Sequence, residues 1–138
     1  MPPVVVLVDD DDAFRYLVAY ALRRSGLKAS LQCVSDGEDA IHYLSRQGKF
    51  ADDVSFPLPS VVLLDLKMPR ITGFEVLEWR LKHPEFQQLP FVVLTSSDLE
   101  RDRKRAAELR ANSYFVKPMD AGGLVEILNS IIPGLRGD

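Results

Sequence analysis

Apolar residues in this chain follow two alternating periods. Val4 to Val8 is an unbroken run of valine and leucine without polar alternation, the pattern of a strand covered on both faces of a parallel sheet. Phe14, Leu17, Val18, Ala21 and Leu22 then recur at helical spacing until Ser25 and Gly26 stop them. The strand-then-helix unit repeats. Leu27 to Val34 predicts a second strand, and Ser35-Asp36-Gly37 turns into a helix whose apolar stripe is Ala40, Ile41 and Leu44. A loop rich in Asp and Pro, Ala51 to Ser60, precedes a third strand that ends at Asp65. Met68-Pro69 to Thr72-Gly73 leads from there into a helix with Phe74, Leu77 and Leu81. Pro84 and Pro90 bracket the next connection. Phe91 to Leu94 is a fourth strand, ending at Thr95-Ser96-Ser97 and followed by a charged helix from Asp98 to Ala111. Tyr114 to Val116 predicts a fifth strand that ends at Lys117-Pro118, and Asp120 caps a last helix carrying Leu124, Ile127, Leu128 and Ile131.

Five such units predict an α/β fold. The expected form is flavodoxin-like: a doubly wound, five-stranded parallel sheet of order 2-1-3-4-5 with helices on both faces, in one domain spanning 1–138. In that order strands one and three are neighbours at the switch point, so Asp9, Asp10 and Asp65 converge there, with Thr95 and Lys117 arriving from strands four and five. Asp11 or Asp12 suffices to cap the first helix. Asp9 and Asp10 are left over, and carboxylates gathered in this way need a cation.

Composition narrows the function classes. A chain of 138 residues is enough for one domain and too short for two, and 46% hydrophobic with 27% charged residues is ordinary globular material. No apolar run reaches the length of a bilayer span, and Met1-Pro2-Pro3 leads straight into a strand with no signal-peptide core, so a cytoplasmic protein with no membrane partner is expected. Cys33 is the single cysteine, which excludes an internal disulfide or thiolate cluster, and its strand position predicts a small core residue. Twenty acidic against seventeen basic side chains give net −3 and no general attraction to nucleic acid. Arg101, Arg103, Lys104, Arg105 and Arg110 of helix four are interleaved with Glu100, Asp102 and Glu108, a solvated mixed-sign face. Gly122-Gly123 marks a weak first turn in the last helix.

Asp9-Asp10, Asp65, Thr95 and Lys117-Pro118, each at a strand end, resemble the CheY-like receiver domain of two-component response regulators, and the resemblance covers nearly the whole chain. Met68-Pro69 and Gly73 after the central Asp, and Tyr114 three residues before the Lys, belong to the same set. Four further segments are similar to stand-alone receivers that partner phytochrome-type histidine kinases: the extended loop before Val61, Asp65 to Arg70, His83-Pro84 to Leu89-Pro90, and Ala111 to Tyr114.

The resemblance implies a phosphoprotein that signals without an output domain. Asp65 is then the phosphoacceptor for a sensor histidine kinase, phytochrome-like by the subgroup. Mg²⁺ is implied as the cofactor, held directly by Asp10 and Asp65, by Asp9 through water, and by the main-chain carbonyl of Lys67. Lys117 and Thr95 would hold the phosphoryl oxygens, with the Lys117–Pro118 bond cis. Thr95 and Tyr114 would form the switch, read by a downstream protein target on the face of helix four, strand five and helix five, which also serves homodimerisation in such receivers. The chain is thereby expected to be a signalling protein rather than an enzyme, with intrinsic autophosphorylation and slow autodephosphorylation. Lys67 and Ser97, two residues past Asp65 and Thr95, flank the path of the hydrolytic water. Many receivers place a carboxamide or acid there. The ammonium of Lys67 can obstruct that water and the short hydroxyl of Ser97 reaches it poorly, so these two residues are expected to gate hydrolysis.

Two other classes compete. A haloacid-dehalogenase-type phosphatase would use Asp9 as nucleophile, yet that family wants Thr or Val two residues after its second Asp, where Asp11 is followed by Ala13. A phosphorylation-independent adaptor of the same fold generally loses an acidic ligand, the acceptor Asp or the Lys, and none is lost.

Overall fold

The computed structural model describes residues 2–135, and in it each apolar run is a strand and each helical stripe a helix. The strands are β1 (Val4–Val8), β2 (Ser30–Val34), β3 (Val61–Leu64), β4 (Phe91–Thr95) and β5 (Ser113–Val116). The helices are α1 (Asp12–Ser25), α2 (Gly37–Leu44), α3 (Gly73–Leu81), α4 (Glu100–Glu108) and α5 (Ala121–Ile131). All strand pairings are parallel, and the sheet order is β2-β1-β3-β4-β5. The two ends of the expected 1–138 domain lie outside the described residues.

The two-residue period of a strand sorts the side chains onto the two faces. Val6, Val8, Val62, Leu64 and Val93 pack against Ala40, Tyr43 and Leu44 of α2, Val76 and Leu77 of α3, and Ala106 of α4. Val5, Leu7, Val61, Leu63, Val92 and Leu94 pack on the other face against Phe14, Val18, Ala21 and Leu22 of α1 and Leu124 and Leu128 of α5. The central strands β1 and β3 are apolar throughout, and their first polar residues, Asp9 and Asp65, follow at the C-terminal edge of the sheet.

Some boundaries differ from expectation. β2 begins at Ser30 rather than Leu27, because Gly26 ends α1 in the left-handed region (φ 74°) and the first ladder partner on this strand is Ser30, opposite Val4. α4 is shorter than Asp98 to Ala111: Leu99 is extended, and Arg110 takes φ 67° beyond the last turn. Cys33 is exposed, which corrects the expectation of a core residue. β2 is an edge strand paired only with β1, so its second edge is uncovered by any strand. The Asp- and Pro-rich loop carries more structure than its composition suggested. Phe50, in a 3₁₀ turn at Gly48–Ala51, and Phe56 close an aromatic cluster with Tyr43, whose hydroxyl donates to the Pro57 carbonyl at 2.6 Å.

Arg80, near the end of α3, is a buried charge. Its guanidinium donates to the carbonyls of Phe86, Gln87, Leu89 and Arg110 and to Asn112 Oδ1, and lies over the Phe91 ring. It ties α3 to the segments that lead into β4 and β5.

Candidate functional site

The ladder brings the acids together. Val8 pairs with Leu64, so the next residues, Asp9 and Asp65, stand side by side as β1 and β3 end; Asp65 N donates to the Val8 carbonyl and Asp9 N to the Val34 carbonyl. Asp11 caps α1, its Oδ1 accepting from Ala13 N and Phe14 N, which leaves Asp9 and Asp10 free of that duty. Asp9, Asp10 and Asp65 each present a carboxylate oxygen within 4.8 Å of the others, with Asp9 and Asp65 buried and Asp10 exposed.

The backbone of Asp65 is held by close packing. A Cβ on Gly73 would lie 2.2 Å from the Asp65 carbonyl oxygen, and Gly73 N donates to the Leu66 carbonyl. No side chain fits there, so glycine lets α3 start directly beneath Asp65, where the Thr72–Glu75 capping box closes the helix end.

Lys117 supplies the opposing charge. Its backbone N donates to the Thr95 carbonyl, which ties β5 to β4 at the site, and its ammonium lies 2.8 Å from Asp9 Oδ2 and 3.4 Å from Asp65 Oδ2. Burial works against the ammonium, yet its close ion pair with Asp9 and the charge of Asp65 outweigh it and hold its pKa above the ordinary value. Burial pushes the Asp9 carboxyl above the usual carboxylate range in spite of Lys117, and the neighbouring Asp65 charge adds to the rise. Two buried acids share one ammonium, and negative charge is left in excess.

That excess fits a hard divalent cation. The donors are carboxylate oxygens, and the buried Asp9 Oδ2 has no well-aligned hydrogen bond. Asp10 faces solvent and is open to an ion that keeps part of its water shell.

The Lys117–Pro118 bond is trans, like every peptide bond among the described residues, which corrects the cis expectation. Trans is favoured at X–Pro by about 0.5–1 kcal/mol unless packing selects otherwise. Gly123 is explained by the same segment: a Cβ there would lie 2.5 Å from Pro118 Cβ, so this glycine permits close packing where the sequence suggested a weak turn.

Thr95 is buried, its Oγ1 accepting from Ser97 N at 3.4 Å. The Ser97 hydroxyl is engaged elsewhere: it donates to Asp102 Oδ2 at 2.6 Å and accepts from Leu99 N. Tyr114 reaches across from β5 and donates to the Ser97 carbonyl at 2.9 Å, with the Arg103 guanidinium over its ring. Asp102 was missed at the level of sequence because it looks like one more charge on a solvated helix; its five-residue distance from Ser97 is the only trace it leaves. Lys67 is exposed, and its backbone N donates to Asp65 Oδ1 at 3.4 Å.

No helix among the described residues is long and apolar enough to cross a membrane. Residues 5–129 match the family model described as the response regulator receiver domain. Among curated relatives, the response regulator Rcp1 of Synechocystis sp. is 34% identical over 130 residues, covering 94% of this chain and 86% of Rcp1. The Mn²⁺-bound crystal form of Rcp1 superposes with a TM-score of 0.85 at 31% identity, covering 99% of both chains. The phosphorylated cyanobacterial phytochrome response regulator RcpA gives a TM-score of 0.84 at 31% identity, covering 95% of this chain and 91% of that one. With the acid cluster, the paired lysine and the threonine at the ends of a 2-1-3-4-5 sheet, the chain belongs to the response regulator receiver family of two-component signalling.

Proposed function

We propose that this receiver accepts one phosphoryl group on Asp65 in a Mg²⁺-dependent reaction and passes the signal through its α4-β5-α5 face. The observation that carries this reading is the Asp9, Asp10 and Asp65 cluster with the Lys117 ammonium between Asp9 and Asp65. A carboxylate oxygen of Asp65 attacks phosphorus, the bond from phosphorus to the donor's nitrogen breaks, and the neutral imidazole of a histidine kinase leaves. Mg²⁺ supplies charge neutralisation between the acids and the incoming dianion; Asp10, Asp65, Asp9 through water and the Lys67 carbonyl are the residues that would hold it. Lys117 and the Thr95 hydroxyl hold the phosphoryl oxygens.

The family membership decides against the haloacid-dehalogenase reading. Likeness to Rcp1 and to a phytochrome response regulator supports a phytochrome-type sensor kinase as donor, and the proposal includes a cytoplasmic site of action and self-association through the α4-β5-α5 face. Small phosphodonors serve for self-phosphorylation by the same attack. Intact-mass measurement after incubation with acetyl phosphate and Mg²⁺ is the test: one phosphoryl adduct on the wild type and none on Asp65→Asn is expected, and undiminished labelling of the variant would refute the assignment.

A further inference from the structure

The Lys117 ammonium has a third neighbour that is neither an acid nor a hydroxyl. Its Nζ stands 4.2 Å from the centroid of the Phe14 ring. Phe14 is buried in the first turn of α1, its backbone N fixed by the Asp11 cap and its side chain packed into the α1–α5 face of the core. Three groups surround the ammonium: Asp9 Oδ2, Asp65 Oδ2 and the ring. The phenylalanine falls on the helical apolar stripe, so its spacing marks it as a core residue and nothing more.

From this geometry we infer that Phe14 is a positioning residue for phosphoryl transfer: its ring holds the Lys117 ammonium beside Asp65 when the carboxylates are taken by a divalent cation. The inference rests on the phosphoacceptor reading of Asp65. A cation drawn to Asp9, Asp10 and Asp65 competes with the ammonium for the same oxygens, and the ring takes no part in that competition. Without it, an ammonium on a flexible four-carbon stem released by Asp9 turns to water, and must be brought back at an entropic cost when the phosphoryl group arrives. A ring face attracts a desolvated cation, and a leucine of similar apolar character does not.

Two measurements test this. The first is independent of phosphorylation: in the NMR spectrum of the full chain, the Lys117 ε-methylene protons are expected upfield from the ring current, and to stay there at saturating Mg²⁺. Their return to ordinary shifts on adding Mg²⁺ alone would overturn the inference. The second compares rates of labelling by acetyl phosphate at saturating Mg²⁺. Phe14→Leu is expected to be about 2- to 30-fold slower, Phe14→Tyr to stay within about twofold of wild type, and Phe14→Leu to cost nothing further in a Lys117→Gln background. An equal loss in both backgrounds would mean that Phe14 serves packing only. If the wild type accepts no phosphoryl group, the phosphoacceptor reading fails by itself, and the NMR measurement still decides whether the ring keeps the ammonium.

Discussion

The Tyr114 hydroxyl donates to the main-chain carbonyl of Ser97, and through this one bond at 2.9 Å β5 holds the loop that starts α4. Ser97 is the hub, since its N donates to Thr95 Oγ1, its hydroxyl donates to Asp102 in α4 and its carbonyl accepts from Tyr114. A Thr95 hydroxyl drawn to a phosphoryl oxygen gives up the Ser97 N, and the loop, α4 and Tyr114 must readjust together. Hydrogen exchange across residues 96–118 is therefore expected to change on phosphorylation in the wild type, and not in Thr95→Ala, which still accepts the phosphoryl group. An unchanged exchange response in Thr95→Ala relative to wild type would break the coupling.

Mg²⁺ is expected to stabilise the fold. Asp9 and Asp65 are buried beside one another, and a cation that binds the folded state alone adds about 2.7 kcal/mol at a hundredfold excess over Kd, a rise of several degrees in Tm at this chain length. Asp10→Ala should remove most of that rise and stop phosphorylation. Differential scanning fluorimetry with and without Mg²⁺ checks it, and a wild-type shift in the variant would show that Asp10 is no ligand.

Lys67 governs the lifetime of the phosphorylated state in our reading. The side chain is exposed next to Asp65, while the Ser97 hydroxyl is committed to Asp102. An ammonium over the phosphoryl oxygens obstructs the attacking water, so Lys67→Asn is expected to hydrolyse about tenfold faster or more with phosphorylation intact; a tenfold change in rate corresponds to about 1.4 kcal/mol. Dephosphorylation at saturating Mg²⁺ measures this. Equal rates would mean that only the main chain of Lys67 matters.

Tyr43 gives the fold a pH limit far from the site. Burial pushes its phenol from the usual 10 up to about 12, so the folded state holds that proton more tightly than the unfolded chain does. The corresponding stability is complete below pH 10 and is lost as pH rises toward 12. Denaturant unfolding should show Tyr43→Phe about 1 kcal/mol less stable at pH 7, from the lost bond to the Pro57 carbonyl. The difference should shrink or reverse as the pH climbs through that window. A constant difference from pH 7 to pH 11 would contradict the assignment.

The linear pattern determined the fold and the acid site, because both follow from local periodicity. Two-residue alternation set which residues of Val4–Val8 and Val61–Leu64 face α1 or α2, and parallel crossovers then force Asp9, Asp65, Thr95 and Lys117 to one edge. Other features depend on elements that meet only after folding. Whether Arg80 is a surface charge or a clamp depends on carbonyls from segments six to thirty residues away. The same holds for Asp102 on Ser97 and for Phe14 under Lys117, separated by 103 positions in the chain. A side chain's type and spacing announce which surface it shares with its sequence neighbours; its partner across the fold is chosen by tertiary packing and by the low dielectric that makes each buried charge or carbonyl find one.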